Sequence, residues 1–138
     1  MLTRWLYVSA SRLIGEEAED RVGDVVKISI ARNQSLGVTG ALLFTGRSFA
    51  QYIEGEAAAI EALKASILRD SRHADVRTLA LGDYAHRRFV TWSLAYAGPS
   101  RFVANVVENA LTDALHDGEA AVERLAHLLS EFSIGGRS

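Results

Sequence analysis

Residues 38–55, VTGALLFTGRSFAQYIEG, decide how this chain folds. Residues 38–44 and 49–54 are rich in apolar, branched and aromatic side chains. Thr45-Gly46-Arg47-Ser48 between them has the composition of a turn, so the stretch is predicted to be a β-hairpin. Upstream, residues 4–10 alternate Trp5, Tyr7 and Ser9 on one face with Leu6 and Val8 on the other. Both faces carry apolar groups, which predicts an interior strand covered on both sides. Between that strand and the hairpin, residues 16–33 place Ala18, Val22, Val25, Val26 and Ile30 at helical spacing, and Asn33 continues the face. The acidic start suits the positive end of a helix dipole. Gly23 costs this helix about 1 kcal/mol relative to alanine, so packing must hold it.

Downstream, residues 57–70 carry Ile60, Leu63 and Ile67 at i, i+3 and i+7 and read as a second helix. Residues 76–82 and 91–97 supply two more strands around His86-Arg87-Arg88. The order is β-α-β-β-α-β with one extra strand. That predicts an α+β fold of the ferredoxin-like split type, with both helices on one face of the sheet. After Pro99, the one proline, two short helices are predicted over 101–115 and 119–132, covering the other sheet face. Residues 1–98 are thus expected to form one domain and 99–138 a C-terminal helical cap.

Composition narrows the function classes. The chain has 138 residues, is 49% hydrophobic and 23% charged, and carries a formal net charge of −2. That balance fits one ordinary domain and offers no broad attraction for nucleic acid or an anionic membrane. No apolar run approaches the ~20 residues that span a bilayer, and the N-terminus lacks a signal-peptide layout. A cytoplasmic protein is expected. With no cysteine, disulfides, thiolate metal sites and cysteine nucleophiles are excluded.

Polar groups interrupting apolar faces mark the candidate site. Gln51 lies between Phe49 and Ile53, Tyr7 and Ser9 share a face with Trp5, and Asn33 closes the apolar face of the first helix. A buried unpaired amide costs roughly 1–3 kcal/mol, so Gln51 and Asn33 require partners. Taken singly, each reads as part of an internal network, or in Asn33's case as a cap. Taken together, they suit a flat heterocycle whose polar edge meets the amides and whose rings meet apolar walls.

The sequence resembles the BLUF family, blue-light sensors that use flavin, over residues 4–97. The resemblance rests on Tyr7-Val8-Ser9, on Arg32-Asn33 followed by GVTGALL (37–43), and on FAQYIEG (49–55). It continues in RDSRH (69–73) and RFVTWS (88–93). It implies FAD, FMN or riboflavin held noncovalently between the two helices. Asn33 would bond the carbonyl and imide edge, and Arg32 the other pyrimidine carbonyl. Arg69, Asp70 and His73 would lie near the ribityl chain and ring, Val25 and Ile28 on the helical wall, and Ser9 and Phe49 in the same pocket.

Photochemistry is implied for Tyr7 and Gln51. Tyr7 would yield an electron and, through Gln51, a proton, and recombination would leave the amide rotated or tautomerised. Its new hydrogen bond would shift absorption to the red. An amide suits this exchange because its two ends have opposite hydrogen-bonding character at nearly the same shape. Output would pass through Trp92 and position 94, where Leu94 replaces the family's usual methionine, a more adaptable side chain. Lack of cysteine excludes a photosensor that bonds sulfur to its flavin. No enzymatic activity is expected. With only about 40 residues after the sheet, too few for a typical catalytic domain, the signal is expected to leave through a homo-oligomer, a dimer or larger, or a separate protein.

Other signals are discounted. His73, His86, His116 and His127 form no close ligand pair, so no metal is expected. Glu54 and Glu56 are expected to cap or solvate the next helix start, and Arg87-Arg88 a solvated turn. Two rival readings remain: an acylphosphatase-type hydrolase on the same fold, resting on fold analogy, and a light-insensitive module that binds a ligand or partner in the same cleft.

Overall fold

The computed structural model describes residues 2–12, 18–44, 46–87 and 95–97, with residues 109, 123, 124, 126 and 127 from the C-terminal segment. The element order is β1 (Leu2–Ser11), α1 (Ala18–Leu36), β2 (Thr39–Phe44), β3 (Ser48–Gly55), α2 (Ala57–Leu68), β4 (His73–Tyr84) and β5 (Ala95–Ala97). The strands form one sheet in the order β4-β1-β3-β2-β5. All neighbours are antiparallel except β2 and β5, which run parallel. This is the predicted α+β order, with the extra strand added at the β2 edge.

The hairpin forms as the sequence predicts. Phe44 pairs with Phe49, and Gly46 in the connecting loop takes a φ of +95°, which glycine adopts at little steric cost. Alternation then puts Trp5, Tyr7, Phe49, Gln51, Ile53 and Leu42 on one face. Onto it α1 packs Val22 and Val26, against Leu42, Phe44 and Phe49. Beside them α2 packs Ile60 and Leu63, against Trp5, Tyr7, Val38 and Ile53.

Helix α1 continues to Leu36, beyond the predicted end at Asn33. Its stop is a Schellman motif: Val38 N–H donates to the Asn33 carbonyl at 2.9 Å and Gly37 N–H to the Gln34 carbonyl at 3.3 Å. Gly37 takes the positive φ, +68°, that this motif requires. Strand β4 begins at His73, ahead of the predicted 76, because pairing with Ser11 and Ala10 of β1 extends it. Of the predicted strand 91–97, residues 95–97 are described, and they pair with Ala41, Leu42 and Leu43.

The second sheet face is buried too, as the two-sided pattern of β1 predicted: Leu6, Ala50 and Tyr52 are at most 1% exposed. On that face Arg4 donates to Glu123 at 3.2 Å. The predicted helix pair lies outside the described residues, apart from five positions, all helical.

Two expectations are corrected here. Glu54 is not solvated but 1% exposed, on the second face, where it accepts a hydrogen bond from Thr39 Oγ1 at 3.3 Å. Nor is Arg87 a solvated turn residue. Its guanidinium donates to Thr39 Oγ1 at 2.9 Å, the Gly37 carbonyl at 2.8 Å and the Glu54 carbonyl at 3.2 Å. Composition gave no hint of this, since the carbonyls it binds are brought to it by the sheet. Arg87→Ala is expected to lower the denaturant midpoint at unchanged m by the equivalent of about 2 kcal/mol, because charged hydrogen bonds to the partly buried Thr39 hydroxyl and Glu54 carbonyl are lost. An unchanged midpoint would show that water replaces the guanidinium without loss.

Candidate functional site

The site begins with strand register. Tyr7 of β1 stands directly opposite Gln51 of β3; both side chains are buried and on the helix-covered face. The Tyr7 hydroxyl donates to Gln51 Oε1 at 2.5 Å. An amide held by its oxygen has its two N–H donors at the other end. Burial pushes the Tyr7 phenol far above its ordinary pKa; the charge of Asp70 adds to this and Arg32 opposes it. The group therefore stays neutral, and it can release its proton only if negative charge does not accumulate on the phenol.

His73, at the start of β4, braces the pair. Its Nε2 lies 2.8 Å from the Ile67 carbonyl, which can only accept, so Nε2 carries the hydrogen. In the neutral ring Nδ1 then accepts from Ser9 Oγ at 2.8 Å. The imidazole meets the rings of Tyr7 and Phe49 edge-on, with centroids 6.0 and 6.1 Å away.

Between α1, α2 and the sheet opens a cleft whose free space, with the open solvent at its mouth included, is about 770 Å³. Leu42, Phe49, Ile67 and Val25 supply apolar wall; Gln51, Arg32, Asp70 and His73 supply polar groups. Arg32 approaches Ser66 across the cleft, Nη1 to Oγ 3.5 Å. Its Nε is buried with no hydrogen-bond partner among the described residues. A planar ring bearing carbonyls would satisfy that donor while its faces lay on the apolar wall, so these residues fit a flavin.

Asp70 is fixed by Arg72. Arg72 Nε donates to Asp70 Oδ1 at 2.8 Å, Nη2 to Oδ2 at 2.7 Å, and the Arg72 backbone N–H to Oδ1 at 2.9 Å. These bonds hold the carboxylate below its usual range, against a smaller opposing effect of burial. A depressed carboxylate stabilises the fold above its unfolded pKa, and this contribution is lost as pH falls through the folded value. Arg72→Met is expected to move that loss upward toward pH ~4 and to cost at most about 1 kcal/mol at neutral pH, as the pair is partly exposed. Acid-unfolding curves of both proteins check this; coincident curves would mean the ion pair adds nothing.

Of the residues singled out from sequence, the cleft wall gathers Tyr7, Gln51, Val25, Arg32, Phe49, Asp70 and His73, with Ile28, 67% exposed, at its mouth. Ser9 stands behind His73 and is not itself on the wall. Asn33 is 1% exposed on the stripe of Val22 and Val26 that faces the sheet, and is not on the wall either. Arg69 is the exposed C-cap residue of α2. Trp92 and Leu94 lie outside the described residues. Sequence reasoning read Val22, Leu42 and Ile67 only as packing residues and missed Ser29, Ser66 and Arg72 as wall residues. Ser29 was findable, since it sits one helical turn from both Val25 and Arg32. Among the described residues no group of His, Asp or Glu side chains is placed to hold a metal ion.

Comparison with known proteins places this geometry. A family model described as sensors of blue-light using FAD matches residues 2–95. The photoactivated adenylate cyclase subunit alpha of Euglena gracilis is 32% identical over 93 residues, 67% of this chain and 9% of that protein. The blue light- and temperature-regulated antirepressor BluF of Escherichia coli K12 is 36% identical over 88 residues, 64% of this chain and 21% of that protein. The chain therefore matches well under two thirds of either relative's length. Among solved structures, the dark state of BlrB, a BLUF protein, superposes with a TM-score of 0.78 at 29% identity, covering 94% of this chain and 96% of that one.

Proposed function

From the premise that this chain belongs to the BLUF family of flavin-dependent blue-light sensors, we propose that Tyr7 and Gln51 are its photochemical pair and that the cleft beside them holds the flavin. The observation that carries this reading is the buried hydrogen bond from the Tyr7 hydroxyl to Gln51 Oε1 in the wall of a cleft that sets apolar side chains beside a few polar groups. When bound and illuminated, a flavin supplies a strong one-electron oxidant. Tyr7 yields the electron, and its proton leaves along the bond to Gln51, so that the buried phenol never carries a negative charge. Proton and electron then return, leaving the Gln51 amide turned or tautomerised.

Arg32 would offer its unpartnered Nε to a ring carbonyl, Val25, Ile28 and Phe49 would hold the rings, and Asp70, His73 and Arg69 would lie toward the ribityl side. Ser9 orients His73. Asn33 keeps its part at the imide edge on the strength of the resemblance alone. The test is an absorption spectrum of the purified protein before and after blue light. A reversible red shift without bleaching is expected; a flavin-loaded protein with an unchanged or irreversibly bleached spectrum would overturn the reading.

The family is one of light sensors, and this chain is proposed to sense without turning over a substrate. Among the described residues no helix is long and apolar enough to cross a membrane; the cytoplasm is the proposed location. Residues 1–98 are proposed as the sensing domain and 99–138 as the output segment, reached through Trp92 and Leu94. The signal would pass to a second copy of the chain or to a separate protein. Sizing and pull-down of dark and illuminated samples test that step, and identical results in both would count against it. The acylphosphatase-type reading is not favoured, as a buried phenol–amide pair has no part in phosphate hydrolysis.

A further inference from the structure

Trp5 lies two residues before Tyr7 on the same face of β1. Their rings stack with centroids 4.4 Å apart and planes 26° from parallel. The indole is fully buried, and its Nε1–H donates to Thr78 Oγ1 at 2.9 Å. Thr78 is exposed on β4. From α2 the Lys64 ammonium stands 5.8 Å from the centroid of the Trp5 ring. Indole and phenol are among the side chains most readily oxidised by one electron, and rings in contact exchange an electron without a tunnelling gap.

Resting on the light-sensor reading above, we propose that Trp5 is a second redox-active aromatic of the site, a side branch that competes with the switch. When Tyr7 has lost an electron and still holds its hydroxyl proton, one electron passes from Trp5 to Tyr7. Tyr7 is restored with its O–H bond intact, and the indole becomes the radical cation. Its Nε1 proton then leaves along the hydrogen bond to Thr78 and out to water. The electron originally released stays on the bound flavin; its return to Trp5, with a proton from water, closes the branch. No proton crosses Gln51, so the amide does not rearrange and the photon is spent without switching. Lys64 limits this loss. Its contact with the ring face stabilises the neutral indole, and its charge opposes a positive hole there.

The chain has two tryptophans, so Trp92→Phe leaves Trp5 as its sole indole. In flavin-loaded Trp92→Phe protein, a blue flash is expected to produce an indole radical visible by transient absorption. Adding Trp5→Phe, which keeps an aromatic ring against Tyr7, should abolish that signal and raise the yield of the red-shifted state per absorbed photon. Lys64→Met should raise the indole-radical yield on the order of tenfold at low salt, since a unit charge at this range acts through partly screened protein. In flavin-free Trp92→Phe protein, near-ultraviolet dichroism from the stacked rings should weaken on adding Tyr7→Leu. A red shift that persists with no indole radical, or a yield unchanged by Trp5→Phe, overturns the branch and leaves the light-sensor reading standing. An unsubstituted chain that shows no red shift overturns both.

Discussion

Gln51→Leu is expected to give a folded, yellow protein whose absorption no longer moves to the red under blue light. Leucine nearly preserves the volume of a side chain that is 7% exposed, so the cleft keeps its shape. What disappears is the amide that accepts from Tyr7 at its oxygen and offers N–H donors from its other end. The Tyr7 hydroxyl, which donates to that amide, is left without its partner, at a cost of about 1–3 kcal/mol. That lies within the stability of an ordinary domain, roughly 5–15 kcal/mol. Tyr7→Phe should abolish the shift as completely, since the proton and the oxidisable phenol go together. Combining the two substitutions should cost less stability than the sum of the singles, because no polar group is then stranded. A full red shift in either single variant would remove the assigned mechanism.

Gly40→Ala is expected to have the largest effect on folding. Gly40 of β2 pairs with Ile53 of β3, and a Cβ at Gly40 would stand 2.0 Å from the Tyr52 carbonyl oxygen and 3.1 Å from the Ile53 Cα. These are backbone atoms of the strand that carries Gln51, so relief requires the two strands to part. A loss above about 4 kcal/mol is expected, the range reached when strain has nowhere to go, seen as insoluble expression or a collapsed thermal transition. Gly23→Ala is the control of opposite sign. Nothing lies within 4 Å of the added Cβ, and alanine in a helix interior is worth about 1 kcal/mol over glycine. A well-folded Gly40→Ala protein would show that the hairpin tolerates a wider strand spacing.

The reading of residues 38–55 as a hairpin and of β1 as an interior strand succeeded because both rest on local alternation. The helix ends were misplaced by a few residues, since Gly37 ends α1 only once Val38 N–H has turned back to the Asn33 carbonyl. Strand β4 read short because its first residues gain strand geometry from β1 rather than from their own side chains. Asn33 and Arg32 look alike as polar breaks in a helix. Their one-residue offset sends Asn33 toward the sheet and Arg32 into the cleft, a difference set by how α1 is rotated on the sheet.

By itself the amino-acid order determined which segments become strands and helices, and which faces carry Tyr7 and Gln51, because side-chain periodicity is written within a few neighbouring residues. Only the tertiary structure decided that those two stand opposite each other, that the Ile67 carbonyl sets the His73 tautomer, and that Trp5 lies on Tyr7 beneath Lys64. It also decided that Glu54 is buried and Arg87 engaged. Register and helix docking are non-local, and a charged or polar residue has the same letter whether water or a distant carbonyl ends up beside it.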